Sequence, residues 1–166
     1  MGHAGFMSVG GYVADWITTI LQNPAGVGSG MFLLALIAGG LAASAVGYLV
    51  GLPSLRLKGD YLAIVTLGFG EIIRVIVLNV ETLGGARGLT GIPPLTTFGW
   101  VYTGVVFAVF TVWRLVNSAH GREFLSVRED EIAAEAMGVN TTKAKVRAFV
   151  VGAFFAGVAG GLFAHN

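Results

Sequence analysis

The chain has 166 residues, of which 55% are hydrophobic, 11% are charged and 26 are Gly. An ordinary soluble domain carries roughly 25% charged residues and could not hide this much apolar surface, so the composition places the chain in a membrane. A net charge of +1 offers no basic face to nucleic acid, and the absence of Cys excludes a disulfide framework and a thiolate metal site.

A bilayer core of about 30 Å takes about 20 helical residues at 1.5 Å each. By that measure the sequence predicts an all-α polytopic membrane protein. About five membrane segments fit or nearly fit, at about 4–22, 31–52, 61–80, 100–118 and 148–164, with a cytoplasmic helix-turn-helix loop at 119–147. The first residues lack the basic region and the Ala-x-Ala pattern of a signal peptide.

Segment 4–22 carries Asp15, and segment 61–80 carries Glu71 and Arg74, so each is either a plain span or a tilted, broken or re-entrant helix. Segment 31–52 has no charge. Within it Gly39, Ala43, Gly47 and Gly51 recur every four residues, with Gly40 and Ser44 beside them. Small residues along one face let helix backbones approach closely in lipid. In 61–80, Glu71 and Arg74 stand three apart, share a helix face and can pair. They form either a structural ion pair locking helices together or part of a pathway or its gate. Gly68 and Gly70 just before them allow a kink, and a broken helix beside the pathway is a recurring transporter device.

The Gly84 to Gly91 stretch lacks the Gly-Lys-Ser/Thr ending of a phosphate loop and reads as a flexible turn before Pro93 and Pro94. Segment 100–118 carries only Arg114, near one end, where its stem can snorkel toward the headgroups.

Residues 119–147 hold ten of the nineteen Lys, Arg, Asp and Glu residues of the chain. Ser126 followed by Glu129 has the form of a capping box, with Glu129, Asp130 and Glu131 in the first turns, where the helix dipole favours acids. Gly138 is placed to end that helix in the left-handed conformation. Ile132, Ala133, Ala136 and Met137 make a compact apolar side. Such a helix could lie on the bilayer, but its mainly acidic polar face is repelled there, and a protein groove is the better dock. Asn140 is formally part of a glycosylation sequon and is better read as a helix N-cap.

In 148–164 the four-residue spacing returns at Gly152, Ala156, Gly160 and Ala164, flanked by Ala153, Gly157 and Gly161. These faces serve generic helix packing or mate with a second copy or sister subunit. His3, His120 and His165 have no ligand spacing, and they show no convergence with Asp15 and Glu71, so neither a metal site nor an enzyme is expected. With all five segments crossing, Arg56, Lys58, Arg122, Arg128, Lys143, Lys145 and Arg147 fall on the cytoplasmic side and Arg87 opposite, as the positive-inside rule requires.

Ala133-Ala134 followed four positions later by Gly138 resembles the EAA motif by which ABC importer permeases dock their ATPase, with Ile132 standing where that motif has Glu. More specific are the runs Val127-Arg-Glu-Asp-Glu-Ile-Ala-Ala-Glu-Ala-Met-Gly138-Val-Asn-Thr-Thr142 and Leu55-Arg-Leu-Lys-Gly-Asp-Tyr-Leu-Ala-Ile-Val-Thr-Leu-Gly-Phe-Gly-Glu-Ile-Ile-Arg74. With the opening Gly2-His-Ala-Gly-Phe6, they resemble the permease subunits of branched-chain amino acid ABC transporters, of the LivM type.

Several expectations follow from that resemblance. The chain would be a multi-pass subunit in a bacterial-type inner membrane. It would dock ABC ATPase subunits through Arg128, Glu129, Asp130, Glu131, Ala133, Ala134, Glu135 and Gly138. A sister permease subunit would complete the pathway and a periplasmic substrate-binding protein would deliver the amino acid. ATP and Mg would sit on the ATPase, with no cofactor on this chain. Members of that family are about twice as long and have membrane helices ahead of the opening motif, so the chain reads as an internal fragment. A permease for urea or short-chain amides is the nearest alternative, and a non-transport membrane scaffold a more remote one.

Overall fold

The computed structural model describes residues 3–20, 28–55, 57, 60–80 and 94–166, which form seven α-helices and no strand. In chain order these are α1 (His3–Ile20), α2 (Ser29–Ser54), α3 (Asp60–Asn79), α4 (Phe98–Val116), α5 (Ala119–Glu129), α6 (Glu131–Ala136) and α7 (Thr141–Ala164). The all-α polytopic expectation holds: α2, α4 and α7 are each long and apolar enough to cross a bilayer. Both α1 and α3 are unbroken helices, and neither Gly68 nor Gly70 interrupts α3. Arg56, Lys58 and Arg87, on which part of the predicted orientation rests, and the Gly84 to Gly91 turn lie outside the described residues.

The interior is built from α1, α2 and α7. Lipid tails are as apolar as Leu, so helices in a bilayer are held by close packing more than by hydrophobic exclusion. Here that packing runs through glycine. Gly10 of α1 meets the backbone of Gly157 in α7, and Gly160 meets the Met7 carbonyl. A Cβ on Gly39 would stand 2.5 Å from the Gly10 carbonyl oxygen, and one on Gly47 would stand 2.6 Å from the Ala153 Cβ. One on Gly157 would stand 2.5 Å from the Ala43 Cβ and 2.8 Å from the Gly39 carbonyl oxygen. No side chain fits at such separations. Larger residues fill the flanks, where Phe6, Val50, Ile73 and Val77 join Ala43 and Ala153, and Phe6 meets Phe149 edge to face at 5.4 Å.

Gly39, Ala43, Gly47 and Gly51 of α2 are all buried inside this chain. In α7 the buried row is Ala153, Gly157, Gly160 and Gly161. The expected row begins one residue out of register: an added Cβ on Gly152 would have no neighbour within 4 Å. Ala156 is half-buried at the edge of the core. Sequence spacing placed the period correctly but could not choose between two adjacent rows of small residues.

α3 leans on α1 through Ile73 and Gly70, which lie against Gly5, and Val77 joins the same core cluster. α4 is peripheral and has no buried residue. Its start is tied to the end of α7 by the Thr96 N–H donating to the His165 carbonyl at 3.0 Å and the Thr96 hydroxyl donating to the Leu162 carbonyl at 2.8 Å.

Gly157→Val should lower stability by about 1–3 kcal/mol, because the overpacked Cβ has no direction in which to move. Gly152→Ala should instead raise it by up to about 1 kcal/mol, through helix propensity in open space. Thermal unfolding of the purified chain in detergent measures both, and equal effects of the two substitutions would contradict the packing described.

Candidate functional site

The charged stretch between α4 and α7 is organised by three successive caps. Ser118 opens α5, its Oγ accepting from the Gly121 N–H at 3.2 Å. Ser126, expected as the cap of the acidic helix, is instead inside α5 and donates to the Glu123 carbonyl at 2.9 Å. The capping residue is Asp130, which has extended backbone and whose Oδ1 accepts from the N–H groups of Ile132 at 2.8 Å and Ala133 at 3.0 Å. Asp outcompetes Ser here because its carboxylate also meets the positive end of the helix dipole. One consequence is that Glu129 closes α5 and does not open the next helix; Arg128 pairs with it at 2.6 Å.

Gly138 stops α6 as its spacing predicts, with φ +84°. The Gly138 N–H donates to the Glu135 carbonyl at 2.9 Å and the Val139 N–H to the Ala134 carbonyl at 3.0 Å, the paired bonds of a Schellman motif. Two residues later Asn140 caps α7, accepting from the Lys143 N–H at 3.0 Å. α7 therefore starts at Thr141, as the Asn140 cap predicts and seven residues before the apolar run, and 141–147 forms the first two turns of a continuous helix.

Side chains then fasten α6 and α5 to that helix. Lys145 Nζ lies 2.6 Å from Glu131 Oε2, the Thr141 hydroxyl donates to Glu135 Oε1 at 2.7 Å, and Arg147 reaches Glu123 of α5 at 3.5 Å. Partly exposed ion pairs contribute only about 0.2–1 kcal/mol each. Their role here is directional, since with the two caps they allow α6 one orientation. Ala134 faces inward and is buried. Ile132 and Met137 point away from the chain, 74% and 84% exposed, with Ala133 and Ala136 exposed between them. The apolar side predicted from sequence is thus turned outward, rimmed by Glu129, Asp130 and Glu135.

The second group of predicted residues lies on α3. Glu71 and Arg74 pair at 3.5 Å, each side chain 68% exposed. The pair stays within one helix, so among the described residues it does not lock two helices together as one of the two readings proposed. Gly68 is open, with nothing near an added Cβ, whereas Gly70 packs toward α1.

Sequence reasoning missed a third group. Asp15 and His165, 4% and 1% exposed, meet in the interior with Oδ1 3.1 Å from Nδ1. The same Nδ1 lies 2.8 Å from the Gly161 carbonyl, and Nε2 lies 2.9 Å from the Thr18 hydroxyl. Among the described residues Asp15 Oδ1 has no aligned hydrogen bond, so its contact with the ring is chiefly electrostatic. The expectation that Asp15, Glu71 and the histidines do not converge is corrected for Asp15 and His165 alone. A signal existed: Asp15 stands four residues after Gly11 and His165 four after Gly161, so the small-residue rows of both helices lead to them.

A family model described as "Branched-chain amino acid transport system / permease component" matches residues 1–166. The chain is 37% identical over 199 aligned positions to the "High-affinity branched-chain amino acid transport system permease protein LivM" of Salmonella typhimurium, covering 99% of this chain and 45% of that protein. The same figures hold for the protein of that name from Escherichia coli. A "Probable branched-chain amino acid transport permease protein LivM" of Methanocaldococcus jannaschii is 30% identical over 164 positions, covering 92% and 47%. The chain thus spans about half the length of the curated relatives it matches. No solved structure matches it.

Removing the ring of the buried pair strands a carboxylate in the interior, a change that costs about 3–5 kcal/mol. His165→Leu should accordingly lower the unfolding temperature sharply, and adding Asp15→Asn to it should recover part of the loss. Additive losses in the double variant would show that the two side chains are not coupled.

Proposed function

We propose, because this chain belongs to the family of branched-chain amino acid transport system permease components, that it forms part of a transmembrane permease in an ATP-driven importer for those amino acids. The observation that carries this reading is α6: a short helix capped at both ends, pinned to a spanning helix, with Ile132 and Met137 turned outward. A separate ATPase subunit grips that apolar patch, and Arg128, Glu129, Asp130, Glu131 and Glu135 set the polarity of its rim. ATP and Mg belong to that partner. A sister permease subunit completes the pathway, a periplasmic binding protein delivers the substrate, and the assembly sits in a bacterial-type inner membrane with 119–147 on the cytoplasmic side.

The mechanism follows from the connections already described. Closure of the ATPases displaces α6. Its C-terminal stop at Gly138 and the cap of α7 at Asn140 are separated only by Val139, and Glu131 and Glu135 are tied to Lys145 and Thr141. The displacement therefore enters α7 as movement of a rigid element and not as loop flexing. From α7 it reaches α1 and α2, whose backbones lie against it at Gly10 and Gly39. Close-packed contacts of this kind shift as units and do not deform gradually.

In the intact importer, Ile132→Asp combined with Met137→Asp should reduce ATPase co-purification and leucine uptake together by about tenfold or more, the equivalent of about 1.4 kcal/mol of lost docking energy. Gly138→Val, strained at positive φ, should do the same by misaligning α6. Unchanged ATPase capture and uptake in both variants would refute the docking role. Uptake of labelled urea in place of leucine by the wild-type complex would refute the substrate class.

A further inference from the structure

Glu71 and Arg74 occupy an unusual position for two full charges. Glu71 is the twelfth residue of the 20-residue α3, more than halfway along it. Ile73 and Val77 are buried in the core, whereas Ile64, Leu67, Val75 and Leu78, on the side that carries Glu71, are exposed, as are Ile72 and Ile76 beside them. Their spacing of three and four residues makes one continuous outward stripe, apolar at both ends and ionic in the middle. Gly68 leaves a notch beside it, one turn ahead of Glu71, where an added Cβ would meet nothing within 4 Å.

With 61–80 read as a membrane segment, ionisable groups at this depth are costly against lipid and turn toward protein or a water-filled cavity. This pair also leaves most of its bonding capacity unused. A guanidinium has five N–H donors and a carboxylate about four acceptor sites, yet among the described residues the two share one contact of 3.5 Å, and both remain 68% exposed. A pair whose purpose was to join helices would lie across two of them, more buried.

Resting on the importer reading above, we infer that Glu71 and Arg74 receive the charged head of a zwitterionic amino acid as it passes α3. The ammonium of the amino acid approaches the Glu71 carboxylate, and its carboxylate takes the planar fork of Arg74, the geometry in which guanidinium recognition is strongest. The notch at Gly68 gives the head room, and the aliphatic side chain lies along Leu67 or Val75. Four charges of alternating sign sum to zero, so the occupied site carries no more net charge than the empty one. A purely cationic or anionic ligand would leave a net charge in the middle of an apolar stripe. An uncharged amide or urea would have no use for two opposite charges, so the same stripe bears on which substrate class the importer serves.

The test uses the intact permease assembled with its ATPase and binding protein in proteoliposomes, with leucine uptake and ATPase co-purification read together. The double variant Glu71→Gln/Arg74→Gln should assemble normally and lose uptake by about tenfold or more. The exchange Glu71→Arg/Arg74→Glu should assemble and also transport poorly, since the head would meet the charges in reversed order. Near wild-type uptake by either double variant overturns the inference. So does failure of both to assemble, or rescue of assembly and uptake together by the exchange, because each outcome assigns the pair to structure. Absence of leucine uptake in the wild-type complex refutes the importer reading itself and is seen before any variant is made.

Discussion

The architecture depends on backbone-to-backbone contact among three helices at positions where a side chain cannot exist. In water, burying leucines would suffice to hold such a bundle. In lipid, that force is absent between helices, and attraction comes from the many weak contacts available only at short range. Gly10, Gly39, Gly157 and Gly160 make that range accessible, and Phe6, Phe149 and Val50 fill the wedge-shaped space beside the crossings. The large apolar residues, by contrast, mostly face outward. Leu34, Leu49, Val109 and Trp113 are exposed, as suits helices surrounded by hydrocarbon or by neighbouring subunits.

On this frame the acidic segment acts as an arm with defined joints. Three caps, at Ser118, Asp130 and Asn140, and one left-handed stop at Gly138 specify its course almost residue by residue. The ion pairs that bind it to α7 are individually weak. Together with the caps, they convert a charged linker into a part that has a direction. An apolar patch presented on such a part is suited to being held by a protein surface, because little conformational freedom is left to lose on binding.

Much of this was legible in the sequence, and the failures are instructive. Helix periods, the stop at Gly138 and the cap at Asn140 follow from local chemistry, and local chemistry is what spacing records. Ser126 misled because the capping-box pattern is satisfied equally well inside a helix, where a serine hydroxyl bonds back to the carbonyl three residues before it. The membrane segment read at 148–164 is shorter than α7 because apolar content marks the membrane boundary, whereas a helix ends where its hydrogen bonds end. Lys143, Lys145 and Arg147 belong to the helix although they lie outside the apolar run. The register of the small-residue row in α7 and the meeting of Asp15 with His165 depend on how three helices turn toward one another. No single helix carries that information.

α7 runs without interruption for 24 residues, about 36 Å at 1.5 Å per residue. Near one end it bears the arm, near the other His165 sits against Asp15, and between them Gly157 rests directly on α1 and α2. A push delivered at Thr141 would therefore meet α1 and α2 at several points along the rod, Ala153, Gly157, Gly160 and Gly161 among them, and be handed to both at once. The smallest side chain thus stands where the bearing must be tightest.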